Sequence, residues 1–196
     1  MNGRKVYSFF EPIQGWNNDE ALVDLWKSNW KAKGFDPILL SKSDAEKHPY
    51  YEEFKSKILK TFQQVMGRGM LSRDNPWDHY VFHNYIRFLA YAYYLPENEV
   101  SLVMDYDVYN INYSDHNLDG KFLTFLFGKC PCLVSGKKQQ FLSYCQWMAD
   151  QPLNHIQDLK FELNKGPFTT LHEMALLHHL HLSLIHISEP TRRRGI

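Results

Sequence analysis

Asp105 and Asp107 flank a single residue directly after an apolar run at residues 100–104. At the end of a strand, side chains i and i+2 share a face, so two carboxylates at this spacing can approach one hard divalent cation. A Mg²⁺ or Mn²⁺ held there would bridge a diphosphate and take up charge developing on a departing phosphate. Asp-x-Asp also ends strands for the plainer reason that aspartate favours turns. Arg87 is the other residue that invites chemistry. It sits in an otherwise apolar helical pattern, where a guanidinium buried without a partner is costly. It can pair with Asp105 or Asp107 and position them, or grip a phosphate bidentately.

These residues need a scaffold, and the pattern around them supplies one. Residues 5–10 read as a short strand, broken at 11–15 by Glu, Pro and Gly. Asn17 with Glu20 matches a capping box, and Leu22, Leu25, Trp26 and Trp30 follow at helical spacing, which predicts a helix over 18–33. Residues 35–40 read as a second strand, and strand, helix, strand at this spacing is the βαβ unit of a parallel sheet. A polar helical stretch at 49–66 precedes a loop at 67–76. Val81, Tyr85, Phe88, Leu89 and Ala92 then mark one face of a helix over 77–95, stopped by Pro96. Further elements are a strand over 100–104, a strand at 130–134, an amphipathic helix at 138–149, and a helix or strand at 155–163. Ligands of open α/β sheets bind beyond the carboxyl ends of the strands, which is where Asp105 and Asp107 fall.

The formal net charge is zero, so the long-range field that draws a protein to nucleic acid is missing, and no nucleic-acid partner is expected. No run approaches the ~20 apolar residues needed to span a bilayer. Cys130, Cys132 and Cys145 form neither an even disulfide set nor a paired zinc pattern, which points to reduced thiols and a cytoplasmic location. His172-Glu173 fails the zinc-protease spacing because position 176 is Leu. Gly-x-Gly-x-x-Gly and phosphate-loop motifs are absent, which removes those routes to NAD and ATP.

The order of strand, helix, strand, a long helix bearing Arg87, and an apolar strand ending in Asp105-Tyr106-Asp107-Val108 resembles GT-A glycosyltransferases with a DxD motif. More narrowly, Leu25, Trp26 and Trp30, then Gly34, Phe35 and Pro37, then Asp44, His48, Pro49 and Tyr51, with Arg87 and Ala90, are similar to an uncharacterised glycosyltransferase-like family. The resemblance covers roughly residues 5–115. It implies a Rossmann-like GT-A nucleotide-diphospho-sugar transferase fold and a hexosyltransferase-like enzyme using a UDP- or GDP-sugar, an unknown acceptor, and Mn²⁺ or Mg²⁺. It further implies that Ser8, Phe9, Phe10, Glu11, Arg87, Asp105 and Tyr106 border the nucleotide-sugar, and that Asp105 and Asp107 hold the metal. Asp158 is a candidate late carboxylate facing the sugar. Two alternatives stand beside this: a non-catalytic nucleotide- or glycan-binding fragment, and an Asp-x-Asp phosphatase. The phosphatase class places its motif on the first strand, with Thr or Val four residues after the first Asp; here that position is Tyr109.

The segment from Leu182 to Arg192 resembles, residue for residue, one reading frame of a transposase adapter used in preparing DNA for sequencing. That resemblance implies that residues 182–196 are a non-native tail and that residues 1–181 are an incomplete GT-A-like domain. The arginine run at 192–194 then carries no meaning as a nucleic-acid patch.

Overall fold

The computed structural model describes residues 4–16, 18–71, 75–111, 113, 120, 123–127, 130–165 and 170–177. The expected capping residue Asn17 and the expected tail at 182–196 lie outside the described residues. The elements in chain order are β1 (Arg4–Phe9), α1 (Glu20–Ala32), β2 (Phe35–Leu40), α2 (Lys42–Glu46), α3 (Tyr51–Met66) and α4 (Pro76–Tyr94). After these come β3 (Ser101–Met104), β4 (Thr124–Phe127), β5 (Cys130–Gly136), α5 (Lys138–Asn154) and α6 (Ile156–Lys165). Residues 173–177 add a last helical turn.

The strands form one mixed sheet in the order β2-β1-β3-β5-β4. β1 pairs in parallel with β2 on one side and β3 on the other, whereas β5 runs antiparallel to β3 and β4 antiparallel to β5. The fold is therefore α/β, as expected, but the sheet is not parallel throughout. The short link from β4 to β5 cannot hold the crossover that a parallel pair requires.

Strand alternation divides the core into two layers. Val6, Leu102, Met104 and Leu133 meet Trp26 and Trp30 of α1 on one face. Tyr7, Phe9, Val103 and Val134 meet α3, α4 and α5 on the other. Trp26 and Trp30 are almost fully buried, so truncating either to alanine would cost roughly 3–5 kcal/mol. Helix α1 starts at Glu20, with Asp19 as its cap: the Asp19 side chain accepts from the Leu22 N–H at 3.3 Å. The cap of α1 is thus a simple aspartate. Helix α4 opens on Asn75 and Pro76, the favoured pairing of a capping side chain with proline at the first helical position. Residues 156–165 resolve the helix-or-strand alternative as helix α6.

Candidate functional site

β1 lies between β2 and β3, and the connection to β2 runs over one face through α1 while the connection to β3 runs over the other through α2, α3 and α4. The chain thus leaves the β1/β3 boundary in opposite directions, and such a switch point opens a crevice beyond the carboxyl ends of the strands. A cleft of about 300 Å³ lies there. Phe9, Phe10 and Glu11 enter it from the end of β1, Asp105, Tyr106 and Asp107 from the end of β3, and His83, Asn84 and Arg87 from α4.

The acidic residues are carried by a turn rather than by the strand itself. The Val108 N–H donates to the Asp105 carbonyl at 3.1 Å, so the i, i+2 alternation expected of a strand does not set their directions. The turn brings both carboxyls to the cleft all the same. Three contacts hold it. The Asp105 N–H donates to the Cys132 carbonyl of β5 at 2.9 Å. The Trp30 indole N–H donates to the Val108 carbonyl at 2.8 Å. Asn29 accepts from the Asn110 N–H at 2.6 Å and donates to the Asn110 carbonyl at 3.3 Å. One face of α1 therefore fixes the acidic turn although some 80 positions separate the two in sequence.

Arg87 is buried beneath that turn, with Nη1 donating to Asp105 Oδ1 and Nη2 to Glu173 Oε1 at 3.0 Å. Of the two roles foreseen for Arg87, the carboxylate pairing is the one found. Each terminal nitrogen already gives one hydrogen bond to a carboxylate. Burial works against the guanidinium's charge, but the two carboxylates outweigh it and push its pKa up. Burial also raises Asp105, with Asp107 adding to the rise and Arg87 opposing it. Glu173 is raised by burial in the same way, against the pull of Arg87. Burial lowers the pKa of His83, to about 4, and that of His172, so both imidazoles are neutral near pH 7.

The other residues expected at the site divide. Phe10 packs edge-on against Tyr106 with centroids 5.1 Å apart, and both line the cleft. Glu11 also lines it, and its Oε2 accepts from the Lys42 N–H at 2.8 Å, tying the loop after β1 to the first turn of α2. Ser8 is a correction. It is fully buried in β1 and is not among the cleft-lining residues, because alternation places it on the same sheet face as Val6, toward α1. Asp158 is also a correction: it lies exposed in the first turn of α6, 3.3 Å from His155, and lines no part of the cleft.

Sequence reasoning missed an aromatic wall and a buried acid. Trp16, Trp77 and Tyr80 pack together at the cleft with centroids 5.3–5.7 Å apart, although they are 37%, 46% and 41% exposed. Trp16 is delivered by a turn in which its N–H donates to the Ile13 carbonyl and Gly15 has φ +78°. That is the third position of a type II turn, which demands glycine. The Asn18 side chain braces the turn by bonding both the N–H and the carbonyl of Ile13. Trp77 and Tyr80 are fixed by the start of α4, where buried Asp78 accepts two hydrogen bonds from Arg68, at 2.5 and 2.9 Å. The five donors of a buried guanidinium call for more than one acceptor, but nothing in the sequence singles out Glu173, 86 positions away, as the second.

Among the described residues no three His, Cys, Asp or Glu side chains group together to hold a metal. Asp107 is exposed in the cleft, and Arg87 takes only Oδ1 of Asp105, leaving Oδ2 without a hydrogen bond among the described residues. Two carboxylates suit an ion whose remaining ligands are substrate phosphates and water, the usual arrangement for Mg²⁺.

Among the described residues, no helix is long and apolar enough to cross a membrane. Residues 4–71, about a third of the chain, match a family described as Domain of unknown function (DUF8765). That segment holds β1 to α3 and so supplies one wall of the cleft, while the acidic turn and α4 lie beyond it. No curated protein and no solved structure matches the chain.

Proposed function

We propose that this protein is a metal-dependent glycosyltransferase whose cleft takes a UDP- or GDP-sugar together with Mn²⁺ or Mg²⁺ and passes the sugar to an acceptor. The observation that carries this reading is the charge inventory of a cleft at a sheet switch point. Glu11, Asp105, Asp107 and Glu173 face one guanidinium, Arg87, which is already committed to two of them. No other lysine or arginine lines the cleft among the described residues. A diphosphate entering here meets net negative charge, so a divalent cation must accompany it, and the paired aspartates are where that cation would be shared.

In this reading Asp107 and Asp105 hold the ion, and Arg87 keeps Asp105 ionised and aimed despite its burial. Bound there, the metal would supply electrostatic stabilisation of the leaving diphosphate. Phe10 and Tyr106 form the apolar flank for the nucleoside, and neutral His83 and Asn84 offer hydrogen bonds along α4. The acceptor hydroxyl oxygen forms a bond to the anomeric carbon and releases its proton to solvent, while the bond from that carbon to the diphosphate oxygen breaks and the nucleoside diphosphate departs with the electron pair.

Calorimetric titration of UDP and GDP into the full chain, with and without Mn²⁺, tests this. Binding that requires Mn²⁺ and is lost in Asp107→Ala is expected. Equal binding without metal would remove the reading. Metal-dependent binding with no turnover of any sugar nucleotide would favour the non-catalytic binding fragment instead.

A further inference from the structure

The cleft has a second lobe of about 230 Å³ beyond the Arg87–Asp105 pair. Trp77, Tyr80, Asn84, Arg87 and Asp105 are common to both lobes, and the second adds Val81, Pro131 and the 172–174 segment. The second lobe therefore combines an aromatic face, Trp77 and Tyr80, with polar groups from α4, the acidic turn and the 172–174 segment. Trp77 and Tyr80 are large apolar side chains left nearly half exposed in a chain that buries Trp26 and Trp30 completely. They are also held rigidly: Trp16 stacks on Trp77 at an interplanar angle of 29°, and the Arg68–Asp78 pair anchors their helical turn.

A rigid, exposed aromatic face presents the negative side of its quadrupole, which attracts the weakly positive C–H face of a pyranose ring. The same lobe holds neutral His172 and, one helical turn on from Tyr80, Asn84, both suited to sugar hydroxyls. Its charged groups are Asp105 and Glu173 against the doubly paired Arg87, so an anionic ring carrying carboxylate or phosphate meets repulsion without a free cation among the described residues. We propose that this second lobe is a binding subsite for an uncharged sugar ring, stacked on Trp77 and Tyr80. Given the transferase reading above, that ring belongs to the acceptor, which is then a neutral glycan.

The test titrates the full chain with methyl glucoside, methyl galactoside, methyl mannoside and cellobiose, followed by tryptophan fluorescence. Methyl glucuronide and glucose 6-phosphate serve as charged counterparts. At least one neutral probe is expected to bind, about tenfold or more tighter than the charged ones. Trp77→Ala should weaken it about tenfold, and Trp77→Phe, which keeps an aromatic face, should restore most of the loss. No response to any neutral probe, equal binding of the charged probes, or displacement of the sugar by uridine or guanosine overturns the subsite. Asp107→Ala separates the two readings, since it should abolish Mn²⁺-dependent UDP or GDP binding and leave glycoside binding intact. Glycoside binding in a protein that takes no nucleotide would support the subsite while removing the transferase.

Discussion

Arg87 and Glu173 meet at 3.0 Å although 86 positions separate them, and both are buried. The guanidinium thus joins the acidic turn after β3 to the last helical turn of the described chain. Removing it would leave a buried carboxyl, Glu173, and a half-buried one, Asp105, without their counter-charge. Arg87→Met is expected to lower stability by about 3–5 kcal/mol. Arg87→Lys should recover only part, because one ammonium cannot reproduce the two-armed fork. Urea unfolding at pH 7 measures both, and a lysine variant as stable as the parent would show that the fork is unimportant.

The two aspartates should separate cleanly. Asp107 is exposed and Asp105 is paired to Arg87. Asp107→Asn is expected to change stability by no more than about 0.5 kcal/mol while weakening Mn²⁺-dependent nucleotide binding at least about tenfold. Asp105→Asn should impair both quantities. Thermal unfolding and calorimetry on the same preparations make the comparison. Equal loss of stability in the two variants would contradict the division of roles.

Trp30 touches no part of the cleft, yet its indole N–H holds the Val108 carbonyl at 2.8 Å. Trp30→Phe retains most of the buried ring but drops that bond. A loss of about 1 kcal/mol is expected. If α1 positions the acidic turn, nucleotide binding should weaken in parallel. Unchanged binding in a measurably destabilised variant would limit Trp30 to the core.

His83 gives a pH dependence with a definite sign. Its folded pKa is about 4 against an ordinary 6.5, chiefly through burial and secondarily through His79 and Lys42. Between those values the unfolded chain binds the extra proton and the folded one does not, so stability is lost as pH falls from 6.5 towards 4. His48 and His172 act in the same direction, whereas the raised carboxyls of Asp105 and Glu173 act in the opposite one. His83→Gln should therefore flatten the decline without abolishing it. Denaturant midpoints at a series of pH values would show this, and an unchanged slope would contradict it.

Periodicity carried the elements whose burial repeats regularly. The β2 boundaries at 35–40 and the strand before Asp105 were legible as short apolar runs covered on both sheet faces, and α4 as apolar positions at helical spacing. The coupling of Arg87 to Asp105 was legible as one of two alternatives, since a buried guanidinium demands a counter-charge. What could not be read were relations made by tertiary contact alone. Glu173 meets Arg87 across the whole α5–α6 region, and Trp16 joins Trp77 only because a glycine turn faces the start of α4. Ser8 and Asp158 failed for a related reason. Closeness to a strand end, or a late place in the chain, does not determine which side of a layer a side chain occupies.

The central position of β1 has a consequence in time. Its partner β2 ends at Leu40, but β3 begins only at Ser101, so residues 41–100 must be synthesised before the second edge of β1 is covered. At about 5–20 residues per second that interval is roughly 3–12 s. Throughout it β1 keeps open backbone donors and acceptors along one edge, and the apolar faces of α3 and α4 join it as they are made. The time for which that edge is open to wrong pairing is thus set by the rate of translation, and lengthens as synthesis slows.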